Sequence, residues 1–232
     1  MNHLRKLALA LCITVIGITA APAKAASISL PVLVDGYALS ENNFSTISSL
    51  ETTTPILPVY LAGGSEARAA LEFDLSALSS PIVSASLVLY FELSDALVGV
   101  HAGTGDGKIT DADFQLYNPI TTFDPDSIPS PTANVIDVTD YLQYLQSVAG
   151  AGSSVVFQLR ELVDPDSNSF ISGDYPTSSL RPRLDIVTAA VPEPGTLALL
   201  GLGFAGLGMS RRRLAASAIT SSCLDPASSR VT

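Results

Sequence analysis

Six β-rich runs, each seven to twelve residues long, set what the middle of this chain can fold into. They are SISLPVLV (Ser27–Val34), ILPVYLA (Ile56–Ala62), ARAALEFDL (Ala67–Leu75), IVSASLVLYFEL (Ile82–Leu93), SSVVFQLREL (Ser153–Leu162) and RPRLDIVT (Arg181–Thr188). Gly, Ser, Thr and Pro fill the gaps between them, so each run reads as a strand closed by turns. In the third, strict alternation puts Ala69, Leu71 and Phe73 on one face and Arg68, Glu72 and Asp74 towards the other. In the fourth, Ala85, Leu87, Leu89 and Phe91 share a face. Strands at this spacing predict an all-β fold, an antiparallel β-sandwich. One segment departs from the pattern. DVTDYLQYLQSVAGAG (residues 137–152) places Tyr141, Leu142, Leu145 and Val148 at helical spacing. Asp137 or Thr139 can cap its start, and Gly150 stands where a helix would stop. The expectation is one short helix across an end or edge of the sandwich.

The two ends of the chain are of a different kind. The N-terminal 25 residues carry Arg5 and Lys6, then an apolar run from Leu7 to Ala21, then Ala23-Lys24-Ala25. Small residues at Ala23 and Ala25 are what signal peptidase reads, so residues 1–25 form a secretory signal helix cut after Ala25. The apolar run is shorter than the roughly 20 residues of a membrane span, which argues against an uncleaved anchor. Cys12 follows bulky Leu11 and lies inside the apolar run, so it reads as an apolar residue and not as a lipid-bearing one. The second cysteine, Cys223, lies near the other end. The central body holds none, so its own core must stabilise it, and about 165 residues suffice for that.

Charge narrows the partners. Ala26–Ala190 carries five basic residues against twenty acidic ones, a net of −15. Such a body repels nucleic acid and anionic membrane surfaces. His101 is the only histidine of the body. A Ser-His-Asp centre would have to use it as the base, and its Gly-rich surroundings argue against that. Paired carboxylates for glycoside hydrolysis are available in number but carry no distinguishing spacing.

HAGTGDGKITDADF (His101–Phe114) reads in two ways. In one it is a calcium loop of EF-hand or dockerin type, with Thr104, Asp106, Asp111 and Asp113 as ligands, Gly107 at the sharp turn and Ile109 as the apolar position. Ala102 stands where such a loop places its first carboxylate, so any Ca2+ would be held weakly. In the other it is a Gly-Asp-Gly turn whose Ile109 and Phe114 tuck into the core, and the missing carboxylate favours this one. The Asp-Pro-Asp stretches at residues 124–126 and 164–166 read as turns.

RAALEFDLSAL, IVSASLVLYF, IDVTDYLQYL and RPRLDIV follow one another in the order seen in DNRLRE-type domains of exported bacterial proteins. The body resembles that family over nearly all of residues 26–188. The resemblance implies a jelly-roll-like sandwich akin to carbohydrate-binding modules, and polysaccharide as a ligand.

The C-terminal stretch VPEPGTLALLGLGFAGLGMSRRRLA runs from Val191 to Ala215. Pro192 and Pro194 fix φ on either side of Glu193 and prevent helix or sheet pairing, which leaves an extended, accessible peptide. Gly195–Met209 is apolar; as a helix it would span about 22 Å, short of a bilayer core. Arg211, Arg212 and Arg213 would hold its end on the cytoplasmic side. Motif, short apolar helix and arginine cluster in this order resemble the PEP-CTERM sorting signal of Gram-negative bacteria. The resemblance implies recognition of Val191–Pro194 by an exosortase-type processing enzyme, and transient residence in the inner membrane. Leu214–Thr232 departs from the family, whose signal ends at the arginines; it is Ser/Ala-rich and reads as a disordered tail.

The organisation expected is therefore a signal peptide (1–25), a β-sandwich domain (26–188), a sorting signal with a membrane helix (189–213) and a tail (214–232). The function expected is that of an exported, non-enzymatic surface or matrix protein associated with extracellular polysaccharide. The alternatives are a scaffold protein without a glycan ligand and, further off, a polysaccharide-degrading enzyme. Low aromatic content, 6% of the chain with no Trp, favours the scaffold; the family resemblance favours the glycan.

Overall fold

The computed structural model describes residues 25–42, 44–93, 97–117, 119–125, 132–149, 154–164 and 166–190. Lys24–Ala190 forms one compact unit. Among the described residues no helix is long and apolar enough to cross a membrane. The signal helix, the C-terminal membrane helix and the tail expected from the sequence lie outside the described residues.

The described residues of the body form thirteen strands and one α-helix: β1 (Ala26–Pro31), β2 (Val34–Glu41), β3 (Thr46–Glu51), β4 (Ile56–Ala62), β5 (Ser65–Asp74), β6 (Ile82–Leu89), β7 (Phe91–Leu93), β8 (Val98–Gly105), β9 (Pro119–Phe123), β10 (Asn134–Asp137), α1 (Thr139–Ala149), β11 (Ser154–Glu161), β12 (Asp166–Ile171) and β13 (Arg183–Thr188). All pairings are antiparallel. Four strands form one sheet in the order β1-β13-β6-β10; the other nine form a second sheet along β7-β12-β4-β5-β11-β8-β9, with β2 on β5 and β3 on β2.

The alternation read in the sequence builds the core between the sheets. Ala69, Leu71 and Phe73 of β5 pair with Leu159, Phe157 and Val155 of β11. These face Ala85, Leu87, Leu89, Leu184 and Ile186 from the smaller sheet, and all are buried in one cluster. Phe73 and Phe157 meet edge to face at 6.0 Å, a geometry that adds to the burial of their area. Helix α1 takes the place of a strand at the edge of the smaller sheet. It follows β10 directly and lies along β6, where Gln143 Nε2 donates to the Ile82 carbonyl (3.0 Å) and Gln146 Oε1 accepts from the Ile82 N–H (3.1 Å). Asp137 Oδ1 accepts from the Thr139 N–H (2.9 Å) at its start. Leu142 and Leu145 are buried as the periodicity requires, while Val148, on the same predicted face, is exposed.

Three runs depart from the sequence reading. Ser27–Val34 is not one strand: β1 ends at Pro31, and Val34 opens β2, which belongs to the other sheet. Ile82–Leu93 breaks at Tyr90, so that β6 and β7 lie in different sheets and a single run ties them together. The Gly-rich segment from His101 is not all loop, because His101–Gly105 completes β8 alongside β11.

Candidate functional site

Three places on the body bear on function: the end of the smaller sheet where the chain leaves towards its C-terminus, the layer that covers the outer face of the larger sheet, and a groove at the other end of the smaller sheet.

At the first place, β1 and β13 lie side by side with Ala26 opposite Thr188. Ala25 is exposed just before β1. Thr188 is buried, and the Ala189 N–H donates to the Pro81 carbonyl (2.7 Å). The start and the end of the body therefore lie together. Only Ala190 and Val191 separate the last hydrogen-bonded residue from Pro192. Ala23, Val191, Pro192, Glu193, Pro194, Arg211, Arg212 and Arg213 lie outside the described residues.

The second place was not legible as such in the sequence. Glu66, Arg68 and Glu72 alternate with the core residues of β5 and would ordinarily face water. They are fully buried instead. The chain after β8 folds back over them, and Phe44, Ile109, Phe114 and Val156 close a second apolar cluster. Burying charge demands pairing. Arg68 Nε and Nη2 donate to the two oxygens of Glu66 (2.7 and 3.0 Å), Arg160 Nε donates to Glu66 Oε1 (2.8 Å), and the Arg68 guanidinium sits 3.9 Å from the Phe44 ring centre. The remaining bonds hold the covering chain. Arg68 Nη1 donates to the Phe114 carbonyl (2.6 Å), Gln158 Oε1 accepts from the Leu116 N–H (3.0 Å), and Glu72 Oε1 accepts from the Gly107 N–H (2.6 Å). The polar side chains of this face are thus clamps for a loop.

That loop carries the four candidate calcium ligands. Thr104 is exposed on β8. Asp106 Oδ1 accepts from the Lys108 N–H (3.1 Å) across the turn that Gly107, at φ +88°, makes possible. Asp111 is exposed, and Asp113 turns inward to accept from the Thr110 N–H (2.7 Å) and Oγ1 (3.0 Å), capping a single 3₁₀ turn. Ile109 and Phe114 are buried. Among the described residues no group of three or more His, Cys, Asp or Glu side chains is placed to hold a metal ion. Asp106 and Gly107 form a tight turn here.

His101 is also under this cover, with 1% of its surface exposed. Neither ring nitrogen has a hydrogen-bond partner. Burial, and then the neighbouring Arg160 and Arg68 guanidiniums, push its pKa down to about 4. It is neutral at physiological pH and holds no serine. Asp35 is shifted the other way: burial raises its carboxyl to about 6, although its Oδ2 accepts from the Gly173 N–H (2.5 Å). The signs follow from linkage. The unfolded chain protonates His101 near pH 6.5, so folding is opposed as pH falls from there to 4. Asp35 takes its proton in the folded state first, so it favours folding as pH falls from 6 to 3.8. The two oppose each other across that window. His101→Gln should therefore gain up to about 3 kcal/mol over the parent at pH 4 and nothing from this source at pH 8. Asp35→Asn should gain most above pH 6 and nothing at pH 3.5. Urea unfolding at three pH values checks both; parallel curves for parent and variants would refute them.

The third place is a groove of about 380 Å³ against the outer face of the smaller sheet, lined by Ser29 and Pro31 of β1, Ser178, Ser179, Arg181 and Pro182 of the preceding connection, and Arg183 of β13. No acidic residue lines it. Arg181 Nε donates to the Tyr175 carbonyl (2.7 Å), which fixes its fork. Arg183 Nη1 donates to the Tyr90 hydroxyl (3.2 Å) and its Nε to Asp185 (3.2 Å), whose other oxygen accepts from Ser29 Oγ (2.5 Å). The Tyr90 bond is the main reason the guanidinium pKa rises above its ordinary value. Pro31 pairs with Arg183 five positions along from the Ala26–Thr188 pair. The groove and the exit of the chain therefore lie at opposite ends of the same two strands. RPRLDIV was legible as a strand, but nothing local in it told that Ser29 and Ser178 would join its arginines.

A comparison with curated proteins finds no match. Residues 190–213 match the family model described as the PEP-CTERM protein-sorting motif. The stretch runs on from the residue after Ala189, where the body makes its last backbone hydrogen bond. The chain therefore carries a C-terminal PEP-CTERM sorting signal, the mark of an exported protein handled by an exosortase-type system.

Proposed function

We propose that this chain is an exported, non-enzymatic surface or extracellular-matrix protein whose jelly-roll-like body associates with extracellular polysaccharide. Signal peptidase removes residues 1–25. The apolar run Gly195–Met209 holds the protein at the inner membrane until the exosortase-type enzyme acts at Val191–Pro194 and frees the body. The observation that best supports this is the placing of both ends of the body at one end of the smaller sheet, with Ala26 opposite Thr188. Within the body, the groove lies at the opposite end of β1 and β13 from Ala26 and Thr188. The scaffold reading draws on the scarcity of aromatic platforms: Tyr117 and Tyr144 are the large aromatic side chains most exposed among the described residues.

The test is co-sedimentation of the extracellular form with the host's matrix polysaccharide. The expected result is recovery in the pellet, and release when the polysaccharide is digested. Recovery in the pellet with no release on digestion would favour the scaffold.

A further inference from the structure

The acidic body poses a problem for any polysaccharide reading. A net charge of −15 repels uronic acid polymers, the most common acidic polysaccharide chemistry, unless cations bridge the two. The structure offers a different solution. Of the five basic residues of the body, Arg68 is fully buried and Arg160 is tied with it to Glu66. Lys108 is exposed on the Gly107 turn, away from any groove lined by a second basic residue; the Asp106 carboxylate accepts from its backbone N–H and leaves its ammonium in solvent. The other two, Arg181 and Arg183, line one groove; Arg183 is paired there with Asp185, and Arg181 has no carboxylate partner among the described residues.

We propose that this groove binds a carboxylated sugar unit of an acidic polysaccharide directly, without calcium. The inference rests on the polysaccharide reading above and names its site and ligand class. The groove has the parts such a unit needs. Guanidinium forks match a carboxylate with two parallel N–H donors, and such charge-assisted bonds are the strong ones. Arg181 is oriented for this, because its Nε is held by the Tyr175 carbonyl and its terminal nitrogens are left to a ligand. Arg183 is anchored by Tyr90 and Asp185, so it supplies local positive charge from a fixed place. Ser178 and Ser179 are exposed and bring hydroxyls that can both donate to and accept from sugar hydroxyls. Pro31, which is exposed, gives apolar surface on which the C–H face of a sugar ring can lie, a role otherwise filled by aromatic rings. The size, about 380 Å³, falls in the range of small-ligand sites. Asp185 lies nearby, but Arg183 and Ser29 already engage its oxygens.

The test uses the full chain in a neutral detergent, with a chelator present throughout. The probes are polygalacturonate, the same polymer fully methyl-esterified, dextran sulfate and neutral dextran, followed by calorimetry. The expected result is binding to polygalacturonate, at least tenfold weaker binding to its ester, and a loss of about tenfold or more on Arg181→Gln with unchanged thermal unfolding. Arg181→Lys should recover only part, because it keeps the charge and loses the fork. Equal binding to the ester, unmoved by Arg181→Gln, would overturn the inference and leave the polysaccharide reading standing. Equal binding to dextran sulfate would overturn the carboxylate assignment. Binding that appears only when calcium replaces the chelator, and ignores Arg181, would overturn it in favour of cation bridging. No binding to any probe would sink both the inference and the reading it rests on.

Discussion

Replacing Arg68 by Met should cost the body about 3 kcal/mol of unfolding free energy, a large share of what a domain of this size has. Arg68 is fully buried and is the largest such side chain among the described residues. Its loss removes both contacts to Glu66, the bond to the Phe114 carbonyl and the cation–π contact with Phe44. It leaves a buried carboxylate and a buried carbonyl with fewer partners, and those penalties exceed the value of the bonds themselves. The figure stands at the lower end for a broken buried pair because Arg160 still reaches Glu66 at 2.8 Å. The second variant makes the argument specific. Replacing Glu66 by Leu together with Arg68 by Met removes the orphaned charge, so the double variant should be more stable than the single one. Chemical unfolding of parent, single and double variants decides this. A single variant within 1 kcal/mol of the parent, or a double variant no better than the single, would show that the buried pair does not hold the cover in place.

The second large effect lies at the sorting signal. Replacing Pro192 and Pro194 together by Ala should reduce the released extracellular form by more than tenfold while leaving the folded body unchanged. Without the two prolines the peptide around Glu193 is free to continue as helix from the apolar run, and an enzyme that takes an extended substrate loses it. Geometry sharpens the expectation. β13 is held on both sides, by β1 and by β6, through Thr188, and Ala189 is bonded to Pro81. The body cannot lend residues to the enzyme without breaking its own sheet. Pro192 follows Ala189 by three positions in the sequence, so the expectation falls on the motif itself and not on the sheet. Immunoblotting of cell and medium fractions reads the result; undiminished release would remove the motif from the pathway.

The sequence carried the strands whose two faces differ in kind. The β-rich runs ILPVYLA and RPRLDIVT are strands to within two residues of the bounds read for them, and the helix from Thr139 follows from its caps and its buried Leu142 and Leu145. What it did not carry has physical causes. Glu66, Arg68 and Glu72 fall on the face opposite the core residues, interrupted only by Ala70, the pattern of a solvent face. Only the distant Phe44 and Phe114, packed 6.4 Å apart over that face, reverse it. β8 ends in His-Ala-Gly-Thr-Gly, residues of low strand propensity that are held in place by pairing with β11. The turn at Tyr90 is hidden inside a continuous apolar run. Local pattern left Thr104, Asp106, Asp111 and Asp113 open between a calcium loop and a Gly-Asp-Gly turn, and favoured the turn. In the fold Asp113 accepts from Thr110 and Asp106 from Lys108, and the chain between them covers the outer face of the larger sheet. The groove of Arg181 and Arg183 combines residues more than 140 positions apart, and no local pattern announces it.

The central claim is that this is an exported protein cut at its C-terminal signal, and the intact mass of the extracellular form tests it most directly. The account predicts a species that begins at Ala26 and ends within or just beside Val191–Pro194, without the arginine cluster. An extracellular species that extends through Arg213 to Thr232, or a cell-bound chain that still carries residues 1–25, would contradict it.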